Sequence, residues 1–358
     1  MAVEPFLKTR AQRLFIVSMV TQAIVVLIMV AITFRMVEEH VPFTTARYKT
    51  IPCYLALFAL AEIFELIMAF DALRLRNIIQ LIGILIFHAA LIVMAALQVH
   101  QTRTAMVQQN DCDASVSFVK CDGPGTLFRK IEPFLIVTPC ILGGSWLILL
   151  FWIKELYAEF GWAIFHVVGA NPKMKTMYQF YQVMICLLKF DFFAFTGVTM
   201  QLLIVVLSRN SAEFGVTITA IPVVLVLLAA CGVALQREIK WLMTLSLVLM
   251  LASMSYFLYK LVRFYDPFPM DENPYISTRA TLTVFTLSAF LLLFATFAVG
   301  LRCFADFDRG LRASKTDDIS SNAKYSSGLH SAGGKGDMSE RQSSYVGGTQ
   351  LAPRISIE

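Results

Sequence analysis

Eight long apolar runs are the feature that most constrains how this chain can fold. Each has about 20 residues, the length that an α-helix needs to cross the hydrocarbon core of a bilayer, and none holds more than two Asp, Glu, Lys or Arg residues. The runs cover residues 14–34, 51–70, 78–97, 133–153, 187–207, 214–235, 241–259 and 280–301. Because lipid offers the backbone no hydrogen-bond partners, each run is predicted to be a helix. None alternates between polar and apolar residues, as the strands of a membrane β-barrel do.

The composition supports this fold class. The chain is 57% hydrophobic and 15% charged, whereas soluble domains have about 45–50% apolar and about 25% charged residues. We therefore predict an all-α fold, a polytopic transmembrane bundle of eight spans at residues 14–301, surrounded by the lipid bilayer. A short N-terminus (1–13) precedes it. The Ser- and Gly-rich tail (302–358) is predicted to be disordered, since it has too little apolar surface to form a core.

The basic residues indicate orientation rather than nucleic-acid binding. The net charge is +5, and 8 of the 30 Lys and Arg residues lie beyond residue 301. An even number of spans places both termini on one side, and the basic tail favours the cytoplasm. The tail is then the expected surface for cytoplasmic protein partners, and no nucleic-acid motif is present.

Three of the seven cysteines carry specific predictions. Cys112 and Cys121 share the long loop after the third run. This loop would be lumenal or extracellular, where a disulfide between them would persist; the alternative is a pair of free thiols in a cytosolic loop. Cys303 follows the last run immediately and is a candidate for palmitoylation.

Ionisable side chains inside the apolar runs are the best functional pointers, because such groups usually face a bundle interior or water. The candidates for an intramembrane polar site are Glu62, Glu65, His88, Lys189 and Asp191. Glu62 and Glu65 are three residues apart, so they share one helical face. Such a pair is typical of a proton-coupled site; the alternative is a hydrogen bond to a neighbouring helix that only aids packing.

Lys189 and Asp191 are two residues apart and cannot face each other on a helix. Glu65 lies at a similar depth to Lys189 and could pair with it; alternatively, Lys189 extends to the lipid headgroups. His88 is the only histidine in a run, and a catalytic zinc site normally needs three protein ligands. With no hydrolase or nucleotide-binding motif either, we expect no metal, no cofactor and no enzyme.

Residues 160–172 form a further uncharged stretch that is too short to span a bilayer. It contains Trp162, Phe165 and His166. Aromatic side chains of this kind favour the headgroup level, so we predict an interfacial or re-entrant helix here.

One part of the sequence resembles a known family. The resemblance rests on residues 155–165, Gly169, Met174, Lys175, Tyr178, Tyr181, Gln182, residues 187–193, Gly197 and Gln201. This pattern is similar to an uncharacterised family of fungal Golgi-apparatus membrane proteins. The resemblance implies a multi-pass protein of Golgi or related membranes, and it implies no reaction, ligand or functional residue.

Two function classes follow. The first is a non-enzymatic Golgi scaffold or trafficking component that acts through its tail and through residues 154–182. The alternative is an ion-coupled secondary transporter that uses the intramembrane carboxylates, with a solute that the sequence does not identify. A seven-helix receptor is less favoured, because the end of the third run lacks the acidic-Arg-aromatic triplet typical of rhodopsin-like receptors.

Overall fold

Eight helices follow one another along the chain in a computed structural model. It describes residues 7, 9–41, 48, 50–107, 118–119, 121–168, 172–206, 212–265 and 279–307. The helices are α1 (Arg10–Glu38), α2 (Thr50–Arg74), α3 (Ile78–Met106), α4 (Leu127–Val168), α5 (Pro172–Gln201), α6 (Ala212–Arg237), α7 (Lys240–Arg263) and α8 (Arg279–Ala305). A π-helical turn, Leu202–Val206, continues α5. The described residues include no strand.

Seven of these helices are long and apolar enough to cross a membrane, and the described apolar part of α6, Ile221–Arg237, is shorter. Their outer faces carry large exposed apolar side chains such as Ile86, Val226 and Val248. Apolar side chains that face outward in this number are stable only against lipid. The prediction of an all-helical, multi-pass protein in a lipid bilayer is therefore confirmed, and the eight helices agree broadly with the predicted eight spans.

Several helices are longer than the apolar runs that predict them. The α4 helix has 42 residues and is about 63 Å long at 1.5 Å per residue, twice the roughly 30 Å of a bilayer core. The α5 helix begins at Pro172, well before the predicted start at residue 187 and before Lys189. The apolar runs underestimate the lengths of the helices. A helix can continue beyond the lipid, where polar residues are tolerated, because it satisfies its own backbone hydrogen bonds there too.

The predicted interfacial or re-entrant helix is not a separate element. The backbone at Trp162, Phe165 and His166 forms the last turns of α4, and their side chains lie outside the described residues. The depth of this segment in the bilayer stays a prediction.

The helices pack as two groups of four. The N-terminal bundle (α1–α4) has a core that includes Phe15, Met68 and Leu149. The C-terminal bundle (α5–α8) has a core that includes Met184, Met243 and Leu293. Because successive helices run in opposite directions, α1, α3, α5 and α7 begin at one end, which we call the Arg10 end, and α2, α4, α6 and α8 finish there. We call the opposite end the Glu38 end.

Aromatic rings join the two bundles. Phe64 of α2 and Phe87 of α3 lie with their ring centroids 4.9 and 4.8 Å from that of Phe193 in α5. Nearby, a Cβ atom added at Gly83 would lie 2.9 Å from Cε2 of Phe190. The missing side chain at Gly83 thus lets α3 approach α5 closely, as small residues do between membrane helices.

Short turns at the Arg10 end connect neighbouring antiparallel helices. Asn77 caps α3 by accepting hydrogen bonds from the backbone N–H groups of Ile79 and Gln80. The turn between α6 and α7 contains only Glu238 and Ile239, so these two helices are antiparallel neighbours. Glu238 has a positive φ of 56°, and such a backbone conformation allows the chain to reverse within so few residues.

Two sequence predictions fall on residues outside those described. The tail predicted to be disordered starts at residue 302, but its first residues form the end of α8, which finishes at Ala305. Residues 308–358 are not described. Cys112 is not described either, so the disulfide between Cys112 and Cys121 stays a prediction. The residue after Cys121, Asp122, accepts a hydrogen bond from Nη2 of Arg103 at 2.7 Å and pairs with Nε of Arg129 at 3.0 Å. These ion pairs tie the end of this loop to α3 and α4.

Candidate intramembrane site

Glu65 of α2 and His88 of α3 form a buried pair in the N-terminal bundle. His88 Nδ1 lies 2.7 Å from Glu65 Oε1, and both side chains are at most 1% exposed. His88 Nε2 lies 3.1 Å from the Leu142 carbonyl oxygen and 3.0 Å from Oγ of Ser145. A carbonyl oxygen only accepts, so Nε2 carries a hydrogen. This tautomer is assigned from the hydrogen-bond partners.

One further proton then lies between His88 and Glu65. Two acceptors without a hydrogen between them would repel each other at 2.7 Å, so either Nδ1 or Oε1 carries that proton. The pair is therefore a neutral acid with a neutral imidazole, or a carboxylate with an imidazolium. The same 2.7 Å contact is a hydrogen bond in both forms, with only the donor exchanged. The pair therefore holds a proton inside the apolar bundle.

Glu62 is held by α1. Gln22 donates from Nε2 to Oε2 of Glu62 at 2.8 Å, and both side chains are buried. Glu62 Oε1, Gln22 Oε1 and Glu65 Oε2 have no hydrogen-bond partner. Three of the five candidate residues, Glu62, Glu65 and His88, thus lie in one network. Gln22 and Ser145 extend it, so that all four helices of the N-terminal bundle contribute.

Lys189 pairs with Asp71 rather than with Glu65, and it does not extend to the headgroups as a lone cation. Its Nζ donates to Oδ2 of Asp71 and, at 2.9 Å, to Oε1 of Gln80. Gln80 in turn donates to Asp71 at 2.9 Å and to the Met68 carbonyl oxygen at 3.0 Å. The proposed Glu65–Lys189 pair is wrong because Asp71, nearly two turns further along α2, lies closer to the depth of Lys189.

Asp191 has a different environment, although it is only two residues from Lys189. It is 6% exposed, and neither carboxyl oxygen has a hydrogen-bond partner. It lines a cavity of about 60 Å³ in the C-terminal bundle, together with Phe195, Cys231, Ser246 and Phe257. The prediction that Lys189 and Asp191 do not face each other agrees with this arrangement.

The five predicted residues therefore do not form one site. Glu62, Glu65 and His88 lie in one network, Lys189 joins α5 to α2 and α3, and Asp191 faces a cavity between α5 and its neighbours. Sequence reasoning missed Asp71 and Gln80. The signal for Asp71 was present, since it is an acidic residue at the end of an apolar run and opposite in sign to Lys189.

The remaining candidates are less informative. Cys303 is buried in the core of the C-terminal bundle, so palmitoylation stays a prediction that requires the thiol to become accessible. Cys53, Cys186 and Cys231 are also buried free thiols, and Cys140 is exposed. Within the described ranges, no group of three or more His, Cys, Asp and Glu side chains could hold a metal ion.

These features define a class: a polytopic α-helical membrane protein with a buried polar network in one half and an unpartnered carboxyl group in the other. The chain is similar to a UPF0658 Golgi apparatus membrane protein of Schizosaccharomyces pombe. The two are 29% identical over 278 residues, which cover 74% of this chain and 78% of the relative. The resemblance to an uncharacterised fungal Golgi membrane protein family is thereby confirmed. No model of a known protein family matches the chain. No solved structure matches it either.

Proposed function

We propose that this chain is a non-enzymatic multi-pass protein of the Golgi membrane that acts as a scaffold or trafficking component. The compartment is taken from the name of the S. pombe relative. In this proposal the termini and the Arg10 end of the bundle face the cytoplasm, where trafficking proteins act.

The length of α4 is the observation that carries this proposal. At the Arg10 end, Glu159 of α4 accepts hydrogen bonds from Oγ1 of Thr9 at 3.1 Å and from Nε2 of Gln12 at 2.5 Å. This polar cluster is suited to the headgroup region. Beyond it, α4 continues to Val168 and α5 begins at Pro172.

Residues 161–168 of α4 and 172–178 of α5 therefore continue as helix past the level of the Glu159 cluster. We call these two segments the α4–α5 extension. A membrane anchor alone needs no such extension, whereas preformed helical turns offer a partner protein a binding surface with little loss of conformational entropy. Lys173 and Lys175 lie exposed on its α5 arm, where they would meet a partner or the headgroups.

Charge reversal on the extension tests the proposal. Full-length protein carrying Lys173→Glu and Lys175→Glu is expressed in fungal cells, and its neighbours are identified by quantitative cross-linking mass spectrometry. The matched control reverses Arg237 and Lys240, which lie at the same end of the bundle on either side of the α6–α7 turn. We expect the extension variant to remain in the Golgi but to lose at least one specific cross-linked partner that the control keeps. Identical partner profiles for the two variants and the wild type would contradict the proposal.

A second candidate, the ion-coupled carrier, is supported by the Glu65–His88 pair. The pair holds one proton inside the membrane, and its two forms differ only in where that proton lies. Glu62 has a carboxyl oxygen without a partner and could receive the proton. Such a chain of ionisable groups is typical of proton relays in transporters.

Proton flux in reconstituted vesicles tests the carrier. Full-length protein is placed in liposomes that contain a pH-sensitive dye, and a potassium diffusion potential drives proton entry. A proton-coupled carrier should acidify the vesicles at least several-fold faster than empty liposomes once its solute is present in a broad panel, and Glu62→Gln should abolish the difference. Wild-type vesicles that match empty liposomes with every solute would exclude this candidate and leave the scaffold.

A further inference from the structure

The cavity beside Asp191 combines two independent features of a binding site. It is an internal space among the helices of the C-terminal bundle, and it contains a buried carboxyl group whose two oxygens have no partner. Burial without a partner costs a polar group several kcal/mol in an apolar environment. A residue kept there against this cost is a candidate for binding something that the protein alone does not supply.

No described cation neutralises Asp191. Lys189, the nearest basic residue in the sequence, donates to Asp71 and Gln80 on another face of α5. The other polar side chains that line the cavity are already engaged with their own helices: Ser246 Oγ donates to the Leu242 carbonyl, and Ser253 Oγ to the Leu249 carbonyl, both at 2.9 Å. The hydroxyl group beside Asp191, that of Thr296, likewise donates to a carbonyl oxygen of its own helix, that of Leu292 at 3.0 Å. Among the described residues Asp191 therefore lacks a positively charged partner, which a cation from outside the chain would supply.

The walls of the cavity indicate what kind of cation fits. Leu228, Met250 and Leu293 supply apolar surface, and Phe195 and Phe257 lie with their ring centroids 6.5 Å apart. A hard metal ion would need about six oxygen ligands, which these walls do not provide. The hydrocarbon part of an organic cation is stabilised by contact with apolar walls, and its positive charge is attracted by aromatic faces.

The cavity also reaches the outside of the bundle. Leu227 lines it and is 36% exposed on the surface of α6 that faces lipid. Its volume of about 60 Å³ holds only a few water-sized groups, at roughly 10–15 Å³ each. An ammonium group with its first few carbons would fill this space, while a longer hydrocarbon chain would leave past Leu227 into the bilayer.

We propose that the cavity between α5, α6, α7 and α8 binds a protonated amphiphilic amine, with Asp191 as the counter-ion of the ammonium group. The ammonium donates hydrogen bonds to the two free carboxyl oxygens, and the apolar part lies against Phe195, Phe257 and the leucines. This site is separate from the α4–α5 extension and does not depend on the scaffold proposal. It gives the carrier candidate a substrate class in a different bundle from the Glu65–His88 pair.

Binding of a labelled amine to the full chain tests the proposal. The protein is reconstituted in phosphatidylcholine nanodiscs, and binding of ¹⁴C-dodecylamine is measured against empty nanodiscs, which correct for partition into lipid. Unlabelled dodecylamine should compete, whereas dodecanol, which has the same chain without the charge, should compete at least ten-fold more weakly. Equal competition by dodecanol would overturn the proposal, as would binding no greater than in empty nanodiscs.

Three variants locate the site. Asp191→Asn removes the charge with little change in volume, and we expect at least a ten-fold loss of amine affinity. Ser253→Leu keeps Asp191 but fills the cavity, so it should weaken binding similarly. The matched control, Ser255→Leu, makes the same substitution at an exposed position of α7 outside the cavity, and it should bind dodecylamine as the wild type does.

Each variant is first shown to keep the wild-type elution volume and far-ultraviolet circular dichroism. If Asp191→Asn fails this check, Ser253→Leu and the dodecanol comparison decide. Wild-type affinity in both Asp191→Asn and Ser253→Leu would overturn the assignment to this cavity. An equal loss of affinity in Ser255→Leu would also overturn it, because the effect would then not be specific to the cavity.

Discussion

In the N-terminal bundle both ring nitrogens of His88 have hydrogen-bond partners, whereas in the C-terminal bundle neither carboxyl oxygen of Asp191 has one. Both residues are buried at membrane depth, and both were candidates for one polar site. The difference separates two uses of a buried polar group. A group with partners from neighbouring helices adds to stability, whereas a group without partners lowers stability and is retained for another reason.

The geometry of the surrounding helices explains this difference. Leu142 and Ser145 of α4 bring a carbonyl oxygen and a hydroxyl group to the ring of His88, and α2 brings Glu65 to its other side. Around Asp191 the neighbouring helices present mostly leucine, methionine and phenylalanine side chains. Substitutions at His88 and at Asp191 should therefore change stability in opposite directions. The following predictions set these two, with two contacts between the bundles, in order from the largest effect to the smallest.

Removal of His88 should have the largest effect. His88→Leu leaves Glu65 buried without its partner, and breaking a buried pair from one side costs about 3–5 kcal/mol. We expect a large drop in the midpoint of thermal unfolding, or no folded protein, measured by fluorescence-detected size exclusion of detergent-solubilised protein. The control is the double variant Glu65→Leu with His88→Leu, which removes both polar groups and should recover most of the loss. A double variant as unstable as the single one would show that the pair is not the cause.

The contact between the two bundles should be the next most sensitive feature. In Gly83→Ala the new Cβ would lie 2.9 Å from the ring of Phe190, which is itself packed against Phe64 and Phe87. Overpacking of this kind costs about 1–3 kcal/mol. The matched control is Gly143→Ala, where an added Cβ meets no atom within 4 Å. Gly143→Ala should leave the thermal midpoint unchanged or raise it, and an equal loss in both variants would contradict the close approach of α3 and α5.

The Lys189–Asp71 pair should contribute less, because both side chains are about one-third exposed. Lys189→Met leaves Asp71 without its cation, and we expect a loss of about 1 kcal/mol, since solvent weakens a partly exposed pair. The charge swap Asp71→Lys with Lys189→Asp should recover stability in the same thermal assay. A swap that is less stable than either single variant would show that Gln80 and the local packing, rather than opposite charge, hold α5 here.

Part of this arrangement follows from the sequence alone, and the reason can be given residue by residue. Eight apolar runs determine eight helices because lipid requires each segment to satisfy its own backbone. The spacing of Glu62 and Glu65 places them on one face for the same geometric reason. The spacing of residues along one helix does not specify their partners on another helix. The partners of Lys189 and His88 are set by the rotation and depth of α2, α3 and α4, which the sequence pattern does not give. The cavity beside Asp191 depends on packing among four helices, which no local pattern specifies.

Asp191 should give the smallest effect on stability, and the opposite sign. Asp191→Asn removes the carboxyl charge while an amide of similar shape remains, so we expect the protein without ligand to become more stable by about 0.5–1 kcal/mol. Stabilising substitutions at binding sites commonly have this size and reduce function. The measurement is the thermal midpoint of wild type and variant, with and without dodecylamine. Added amine should raise the midpoint of the wild type, because a ligand that binds only the folded state stabilises it, and should leave Asp191→Asn unchanged. A less stable Asp191→Asn would mean that Asp191 supports the bundle as His88 does, and the distinction between the two bundles would then fail.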